Sequence, residues 1–356
     1  MLYLAKRFFG MFSKDIGIDL GTCNTLVYVK GQGVVLSEPS VVAVKRGTDK
    51  VLMDGKGNLA VGSVAKDMIG KTHAGIVAIR PLKNGVIADF DITEAMITYF
   101  IRKVHDRTIG VMPRVAVAVP AGITAVEKRA VLNAAENAGA RHVYVIEEPM
   151  AAAIGAGLPM LDPVGNMICD IGGGSSEIAI ISLGGMVAYK SLRVAGDAMD
   201  EAIVKYIKQE YNLLIGEQTA EKVKIASGSM DPTAGDDRPI DVCGRDFQTA
   251  MPRRITIDSG EVRSALKEPL MAVVRGMREV LEAVPPEISA DLVEHGVTMA
   301  GGGSMLRGIC SFIANEIQIP VRLAEEPMLC VVKGTGLIIE HLDRFKDTLE
   351  SSEEAA

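Results

Sequence analysis

The sequence predicts an α/β protein made of two related domains, and three observations lead to this prediction. The length of 356 residues fits about two domains. Strand-like and helix-like segments alternate along most of the chain, which is typical of proteins with parallel sheets. A strand that ends in aspartate and turns through glycine occurs at 16–30 and again at 167–181, which indicates a faint internal repeat.

The first half of the chain carries most of the alternation. The apolar run at 115–119 is typical of a strand buried on both faces. Thr124 and Glu127 form the capping-box pattern that opens a helix, and Pro149 suits the first turn of another. The predicted elements are strands within 16–46, a helix at 91–107, a strand at 115–119, a helix from 124 to about 139, a strand at 143–146 and a helix at 150–156. The glycine-rich stretch at 47–80 is predicted to be a small inserted subdomain.

The second half is predicted to repeat this architecture with a second insertion. Helix signals are found at 196–211, 219–227, 258–283, 305 onwards and 328–341, and strand signals at 240–243, 254–257, 297–300 and 317–323. Pro269 is expected to kink the longest helix. Turn-forming residues at 228–239 predict a mobile loop, and the polar tail from Phe345 is expected to fray.

The hairpin at 167–181 has the composition of an anion site. Asp170 ends its first strand and is followed by three glycines at 172–174, and then by Ser175 and Ser176. Residues without side chains expose successive N–H groups, and such a nest suits phosphate oxygens. Mg²⁺ prefers few carboxylates together with phosphate, so Asp170 is a candidate to hold it through water. A glycine-rich turn without any ligand would have the same composition.

The second copy of the hairpin favours the phosphate interpretation. Residues 16–30 again place an aspartate, Asp19, at a strand end, followed by Leu20, Gly21 and Thr22 and then by a β-branched strand. Two phosphate-gripping turns in one chain predict two related domains that close on one nucleotide.

Three further places carry candidate chemistry, each with a simpler alternative. The turn at 301–304 follows a strand, where open α/β sheets bind ligands, although a tight turn alone would explain its glycines. Glu148 lies between a strand and a helix, where it either favours the helix dipole or orients an attacking water. Glu221 and Lys224 share one helix face, and a solvated ion pair is the simpler explanation of these two.

The composition excludes several classes of function. The net charge of −7 argues against nucleic-acid binding, which usually requires a basic surface. The five cysteines include no Cys-x-x-Cys pair and are interpreted as reduced thiols in a cytosol. The five histidines lack the spacing of zinc ligands. No apolar run reaches the ~18 residues of a membrane-spanning helix.

Several blocks of the sequence resemble one superfamily, the actin, heat-shock chaperone and sugar kinase ATPases. These blocks are Asp19-Leu-Gly-Thr-Cys-Asn-Thr25, Asp170-Ile-Gly-Gly-Gly-Ser-Ser-Glu177 and Gly301-Gly-Gly-Ser-Met-Leu-Arg307. Within the superfamily, residues 10–345 resemble the MreB family of bacterial actin homologues, with further matching blocks at 80–89, 147–156, 216–224 and 285–289. Several blocks in the right order are a stronger signal than any single motif.

The resemblance implies an actin-like ATPase fold, in which two related α/β domains surround a nucleotide cleft and each carries a small inserted subdomain. The implied parts are domain I at 13–155, its insert at about 41–75, a completing helix at about 325–345, domain II at 156–324, its insert at about 190–257, and an acidic tail at 346–356.

The resemblance also implies a site for ATP and Mg²⁺. The residues implied to touch the phosphates are Gly21, Thr22, Cys23, Asn24, Gly172, Gly173 and Gly174. Glu221 and Lys224 are implied to reach the ribose, with Lys222 beside them. The residues implied to pack on the adenosine are Gly302, Gly303, Ser304 and Met305.

The implied catalytic residues are Asp19, Asp170, Glu148 and Ser175. The two aspartates would hold Mg²⁺ through water, and the other two residues would orient the hydrolytic water. Ser175 and Ser176 stand where the family usually has threonines, and Cys23 stands where it usually has alanine. Because the hydroxyls remain, a weak ATPase activity is still expected.

The implied function is that of a polymerising cytoskeletal ATPase that organises cell-wall synthesis and maintains rod cell shape. Its implied partners are further copies of itself in paired protofilaments, the membrane surface, and membrane proteins of cell elongation such as RodZ. Its implied location is the cytoplasm, at the inner face of the cytoplasmic membrane. A sugar or acetate kinase of the same fold is the alternative, because its nucleotide site would look the same. A chaperone is disfavoured because no substrate-binding domain follows residue 345.

The first twelve residues predict a membrane contact. They combine large apolar side chains with Lys6 and Arg7, which is typical of an interfacial helix. The segment is too short to span a bilayer and lacks a signal-peptide cleavage pattern, and packing onto the domain as core is the other interpretation. The resemblance adds a membrane-binding loop at 109–112. The apolar residues expected to enter the membrane are Leu2, Leu4, Phe8, Phe9, Ile109, Val111 and Met112.

Overall fold

The computed structural model shows the chain as two compact units, each with its own core. The residues that the structure describes are 14–48, 50–53, 59–83, 85–105, 112–232, 238–345 and 349–351. Unit 1 comprises the residues up to 163, together with 183–186 and those from 328 onwards, and unit 2 comprises 164–182 and 187–327.

Strands and helices alternate along the chain, as predicted. The strands of the described residues are β1 (Ile16–Leu20), β2 (Asn24–Val29), β3 (Gly33–Pro39), β4 (Val42–Lys45), β5 (Ile76–Ile79), β6 (Leu82–Lys83), β7 (Val86–Ile87), β8 (Arg114–Val119), β9 (His142–Glu147), β10 (Asn166–Ile171), β11 (Ser176–Ser182), β12 (Gly185–Leu192), β13 (Leu213–Leu214), β14 (Ile240–Asp246), β15 (Pro252–Ile257), β16 (Val297–Ala300), β17 (Val321–Leu323) and β18 (Glu350–Ser351).

The helices of the described residues are α1 (Ser63–Lys66), α2 (Phe90–Val104), α3 (Ala125–Asn137), α4 (Glu148–Gly155), α5 (Gly196–Tyr211), α6 (Glu217–Ser227), α7 (Ser259–Glu282), α8 (Pro286–His295), α9 (Ile309–Ile317), α10 (Cys330–Glu340) and α11 (Leu342–Phe345). The same residues contain short 3-10 helices at Gly302–Met305 and Pro327–Leu329. None of the helices in the described ranges is both long enough and apolar enough to cross a membrane.

Unit 1 is organised by a mixed sheet with the strand order β18–β9–β8–β1–β2–β3. β1 runs antiparallel to β2 and parallel to β8, and β8 runs parallel to β9. The strand predicted to be buried on both faces is β8, and its residues 115–119 are buried. Because β1, β8 and β9 are parallel neighbours, their carboxyl ends lie together at one edge of the sheet.

Helices pack closely on this sheet. α2 places Ile92, Met96 and Phe100 in the core of unit 1, at the four-residue spacing of one helix face. α10 packs on β1, β2 and β8 through small residues. A side chain at Gly336 would lie 2.4 Å from the ring of Tyr28, so a glycine is required for this close approach.

The end of the chain differs in part from the expected frayed tail. Glu350 and Ser351 form β18, which pairs antiparallel with β9 at Val145 and Tyr144. The edge of a sheet presents unpaired backbone groups, and β18 satisfies some of those on β9. Apart from 349–351, the acidic tail at 346–356 lies outside the described residues.

Unit 2 is organised by a second sheet, with the strand order β12–β11–β10–β16–β17. β10 pairs antiparallel with β11 and parallel with β16, which repeats the arrangement of β2, β1 and β8. α7 contributes a long apolar stripe to the core and begins with a capping box between Asp258 and Glu261. The small sheet β13–β14–β15 lies in the part of unit 2 predicted as an insertion.

Several predicted boundaries in unit 2 are wrong. α6 begins at Glu217 after Gly216, and not at Thr219. The glycine turn at 301–304 continues into a 3-10 helix, and α9 begins only at Ile309, because Gly308 has a φ of 72° that interrupts a helix. The strand expected at 317–323 is only β17, since α9 extends to Ile317.

The sequence interpretation also missed two elements. β12 alternates exposed and half-buried residues, so it has no buried apolar run to mark it. α8 begins at two consecutive prolines, Pro285 at its N-cap and Pro286 in its first turn, a position that proline fits.

Candidate functional site

The edge of the unit 1 sheet where β1, β8 and β9 end gathers the first group of predicted site residues. The parallel register pairs Asp19 with Ala118, and Val119 with Glu147. Glu148 follows directly as the first residue of α4. Because β8 runs parallel to both β1 and β9, the structure brings Asp19 and Glu148 to the same edge of the sheet.

The turn between β1 and β2 is held by its own backbone and by neighbouring polar groups. A side chain at Gly21 would meet the carbonyl oxygen of Asn24 at 2.6 Å, so only glycine fits. Ser40 Oγ donates to the carbonyl of Gly21 at 2.6 Å. The N–H of Gly85 donates to Thr22 Oγ1 at 3.0 Å. A hydroxyl that accepts in this way can still donate its proton to an anion.

Asp19 has the electrostatics of a cation ligand. Its carboxyl group ends β1 in desolvated surroundings, and this burial raises its pKa from 3.8 to about 7. A carboxylate in such a position is costly unless a cation compensates its charge. Mg²⁺ would supply that compensation, so the side chain fits the predicted metal role.

In unit 2, the hairpin β10–β11 carries the second group of site residues. Its turn, Gly172 to Gly174, is called the triglycine loop below. The N–H of Gly172 donates to the carbonyl of Ser175 at 2.9 Å. The carbonyls of Gly172 and Gly173 accept the N–H groups of Gly196 and Asp197 at 3.1 and 2.7 Å. The loop is thus fastened to the N-terminus of α5.

This fastening determines where the loop N–H groups point. In a trans peptide the C=O and the following N–H point in opposite directions. Because the carbonyls of Gly172 and Gly173 face α5, the N–H groups of Gly173 and Gly174 point away from it. The loop therefore presents consecutive donors on its other side, as an anion nest does.

Asp170 lies between the triglycine loop and the glycine-rich turn at 301–304. It is buried and pairs with Glu177 on β11 and Ala300 on β16. A side chain at Gly301, whose φ is 80°, would lie 2.1 Å from Asp170 Oδ1. Glycine at 301 thus satisfies the backbone conformation and the close packing together.

The four residues predicted to pack on the adenosine, 302–305, differ in their surroundings. Ser304 is buried, and its Oγ donates to the carbonyl of Gly301 at 2.6 Å, so the hydroxyl closes the turn. Gly303 packs against Ile171, while Gly302 and Met305 are exposed. Contact with a flat apolar group is available from the exposed residues.

The two serines of the β10–β11 turn also differ. Ser176 Oγ donates to the carbonyl of Val194 at 2.6 Å, so this hydroxyl has a structural partner. Ser175 is buried next to the triglycine loop and provides the carbonyl that closes it. The water-orienting role of the Ser175 hydroxyl stays a prediction.

Lys224 is held in a way that the sequence did not predict. Its Nζ donates to Asp200 Oδ2 and to the carbonyl of Gly196, both at 2.9 Å. The simple ion pair with Glu221 is therefore not its main contact. Glu221 is half-buried on α6, and Lys222 is exposed. Asp200 was missed, although it follows Gly196 by one helical turn and thus lies on the same face of α5.

Metal binding by protein ligands alone is not indicated within the described ranges. They contain no group of three or more His, Cys, Asp or Glu side chains that could hold an ion. Mg²⁺ typically uses one or two carboxylates and completes its shell with water and phosphate. Asp19 and Asp170 each lie at the end of a hairpin strand, one in each unit, and their role toward Mg²⁺ stays a prediction.

Two α/β units, each with an aspartate at the end of a β-hairpin strand and a glycine turn beside it, define an actin-like nucleotide-binding protein. The family model described as MreB/Mbl protein matches residues 13–347. The chain therefore belongs to the MreB/Mbl family.

Individual relatives agree with this assignment. The cell shape-determining protein Mbl of Bacillus cereus is 49% identical over 335 residues, which cover 94% of this chain and 98% of the relative. The cell shape-determining protein MreB of Escherichia coli is 49% identical over 355 residues, which cover 98% of this chain and 100% of the relative.

Solved structures confirm the fold. MreB 5 of Spiroplasma citri bound to AMPPNP is 36% identical, has a TM-score of 0.87, and aligns over 94% of this chain and 98% of that one. The MamK double helical filament has a TM-score of 0.77, and the alignment covers 92% of this chain and 99% of that one. At 22% identity, this likeness supports the fold alone.

Proposed function

We propose that the protein is an ATP-dependent, polymerising actin-like cytoskeletal protein that organises cell-wall synthesis and maintains rod cell shape. The observation that carries this proposal is the pair of hairpins, β1–β2 and β10–β11, each of which ends a strand in a buried or desolvated aspartate beside a glycine turn. Relatives named as cell shape-determining proteins support it, as does a structural neighbour bound to AMPPNP. They disfavour the sugar or acetate kinase alternative.

The proposed chemistry assigns a role to each hairpin. Donors of the triglycine loop and of the turn at 21–24 bind the phosphates, where backbone N–H groups stabilise negative charge. Asp19 and Asp170 would hold Mg²⁺ through water, and the ion would supply charge neutralisation. Glu148, at the start of α4, accepts a hydrogen bond from the attacking water and orients it, with Ser175 as the second orienting group.

The subdomain organisation is part of the same proposal. Domain I corresponds to 13–155 with the helix at about 325–345, and domain II to 156–324. The inserts at about 41–75 and 190–257 form the two smaller subdomains. The sheet β13–β14–β15 lies in the second insert, and β4 lies in the first with its partner β5 directly after it, which supports the division.

Membrane attachment through the segment at 1–12 and the loop at 109–112 is proposed as well. The segment at 1–12 and residues 109–111 lie outside the described residues, but the strands that follow them, β1 and β8, are parallel neighbours with Ile16 opposite Val115. Met112, just before β8, is half-buried. The starts of β1 and β8 lie at the edge of the unit 1 sheet opposite to the one that carries Asp19 and Glu148, which favours separate surfaces for the membrane and the nucleotide.

The proposed partners follow from these assignments. They are further copies of the chain in paired protofilaments, the inner face of the cytoplasmic membrane, and cell-elongation membrane proteins such as RodZ. The last of these rests on family resemblance alone.

The nucleotide proposal is tested by replacing Asp170 with Asn. The variant loses one charge from the proposed Mg²⁺ shell, so Mg-ATP affinity or turnover should fall, and ATP-dependent filaments should be lost in negative-stain images. Unchanged Mg-dependent ATP hydrolysis would overturn the site assignment. Phosphorylation of a small acceptor by the wild-type protein, without filaments, would favour the kinase.

A further inference from the structure

We propose that Asp200 is a positioning residue for the nucleotide, which holds the ammonium group of Lys224 beside the triglycine loop so that this lysine contacts the ribose. The inference rests on the proposed function and adds to it a residue from a helix that carries none of the predicted contacts.

The geometry of Lys224 is fixed from two directions. Its Nζ donates to Asp200 Oδ2 and to the carbonyl of Gly196, both at 2.9 Å. An ammonium group has three N–H donors. With two of them directed at α5, the direction of the third is determined before any ligand arrives.

Lys224 is also placed at the point where α5 holds the triglycine loop. Gly196 donates its N–H to the carbonyl of Gly172 and accepts from Lys224 through its own carbonyl. A side chain built at Gly196 would lie 3.5 Å from both Lys224 Nζ and Gly173 Cα. One glycine thus contacts both the lysine and the proposed phosphate loop.

The burial of the Asp200 carboxylate costs free energy that a fully hydrogen-bonded ion pair would not. The residue is 8% exposed, and its Oδ1 is buried without a hydrogen-bond partner. Burial raises the pKa of this carboxyl group to about 6, although Lys224 opposes the shift. Unsatisfied buried oxygens are rare in folded proteins, and a functional role or a bound water or ion is the usual explanation of one.

Preorganisation explains why such a cost would be retained. A lysine side chain is flexible, and ordering it when a ligand binds reduces the affinity. A carboxylate that orders the lysine beforehand removes this loss. The alternative is an ordinary tie between α5 and α6, which would affect folding but not the recognition of a particular part of the nucleotide.

The test compares wild-type protein with Asp200→Asn by calorimetric titration of Mg-ATP, Mg-2′-deoxy-ATP and Mg-3′-deoxy-ATP. The variant should bind Mg-ATP about tenfold more weakly, because a charge-assisted contact is lost. It should bind the analogue that lacks the contacted hydroxyl less than about twofold more weakly. Lys224→Met should show the same selective loss, and the double variant should be no weaker than the single ones.

Two controls separate the possible failures. Glu201→Gln removes an exposed carboxylate from the same helix and should bind all three nucleotides as the wild type does. Asp200→Ser is measured beside Asp200→Asn, and melting followed by circular dichroism shows which variants remain folded.

Equal loss of affinity for all three nucleotides, or additive effects in the double variant, would overturn the positioning role while leaving the proposed function intact. Binding of none of the nucleotides by the folded wild-type protein would instead refute the proposed function, and the positioning role with it.

Discussion

Glycine keeps side chains away from both proposed metal-binding carboxylates. A side chain at Gly301 would lie 2.1 Å from Asp170 Oδ1, and one at Gly21 would lie 3.7 Å from Asp19 Oδ1. Each carboxylate therefore has backbone, and not a bulky side chain, on one side. Backbone N–H groups and a hydrated cation can approach it there.

Glu148 provides the sharpest test of the catalytic assignment. We expect Glu148→Ala to bind Mg-ATP normally but to hydrolyse it about 10²–10⁴-fold more slowly, since a positioned proton-accepting group contributes about that much. Parallel measurements of nucleotide binding and phosphate release check this expectation.

The neighbouring carboxylate is the matched control for this change. Glu147 is the last residue of β9 and caps α4 without a side-chain cap bond. Glu147→Ala should therefore hydrolyse ATP at nearly the wild-type rate. If the two variants hydrolyse ATP equally well, Glu148 acts only at the end of a helix.

The charged side chain of Asp15 stabilises the fold and is not part of the proposed site. It is buried at the start of β1, where its two oxygens accept three hydrogen bonds from Arg114, at 2.6 to 3.0 Å, and Arg141 lies 3.5 Å away. Burial alone would raise its pKa, but the hydrogen bonds and charge of Arg114 outweigh this, so the pKa lies below its usual value.

Replacing Asp15 with Asn should lower the free energy of unfolding by about 2–4 kcal/mol near pH 7, because the arginines lose their buried counter-charge. A depressed carboxyl pKa stabilises the folded state above the unfolded pKa, and this contribution is lost as the pH falls. The difference between variant and wild type should thus be constant from pH 6 to 8 and shrink below about pH 4. Urea titrations at several pH values measure it.

An exposed pair of the same chemistry serves as the comparison. Asp241 lies 3.7 Å from Arg254, and both side chains are more than half exposed. Asp241→Asn should change the free energy of unfolding by less than about 0.5 kcal/mol. An equal effect of both substitutions would contradict the importance of burial at Asp15.

Local sequence patterns were sufficient for the elements that carry the site, but not for the contacts between them. The hairpins, β8 and the capping box of α3 were predicted because their signals lie within a few neighbouring residues. Asp200 was not, because its partner Lys224 is on another helix and nothing in the spacing marks the contact. The beginning of α9 was misplaced because the conformation of Gly308 depends on its packing against Asp231.

The contact between α4 and α10 is another feature that sequence alone did not reveal. A side chain at Gly334 would lie 1.9 Å from the carbonyl oxygen of Ala151, and one at Gly155 would lie 1.8 Å from that of Cys330. The two helices therefore approach through their backbones. A backbone cannot yield as a side chain can, so this contact tolerates no added atom.

Gly334→Ala should accordingly lower the free energy of unfolding by about 1–3 kcal/mol, despite the better helix propensity of alanine. Gly276, within α7, is the matched control. The three atoms nearest to its added side chain belong to the side chains of Leu192 and Ile178 and not to backbone. Thermal unfolding should therefore show Gly276→Ala close to the wild type, and similar losses for both variants would contradict the backbone contact.

The proposed attachment to a membrane should depend more on the assembled filament than on a single chain. Lys6 and Arg7 contribute about 1 kcal/mol each at an anionic surface. Burial of four or five large apolar side chains would add roughly 6–15 kcal/mol before losses, and association and ordering offset about 4–15 kcal/mol of this. A single subunit should therefore bind weakly, whereas a filament with many anchors binds through avidity.

This balance predicts the behaviour of a variant that lacks residues 2–9 and carries Ile109→Ser and Met112→Ser. It should no longer co-sediment with anionic liposomes but should still form ATP-dependent filaments, because the changed residues come before the starts of β1 and β8, and Asp19 lies near the other end of β1. Lys14 and Asp15, where the described structure begins, are retained so that β1 keeps its contacts with Arg114. Full liposome binding would refute the anchor, and loss of filaments would show that the first residues belong to the core. Wild-type monomers, prepared without nucleotide, should bind liposomes more weakly than wild-type filaments at equal protein concentration.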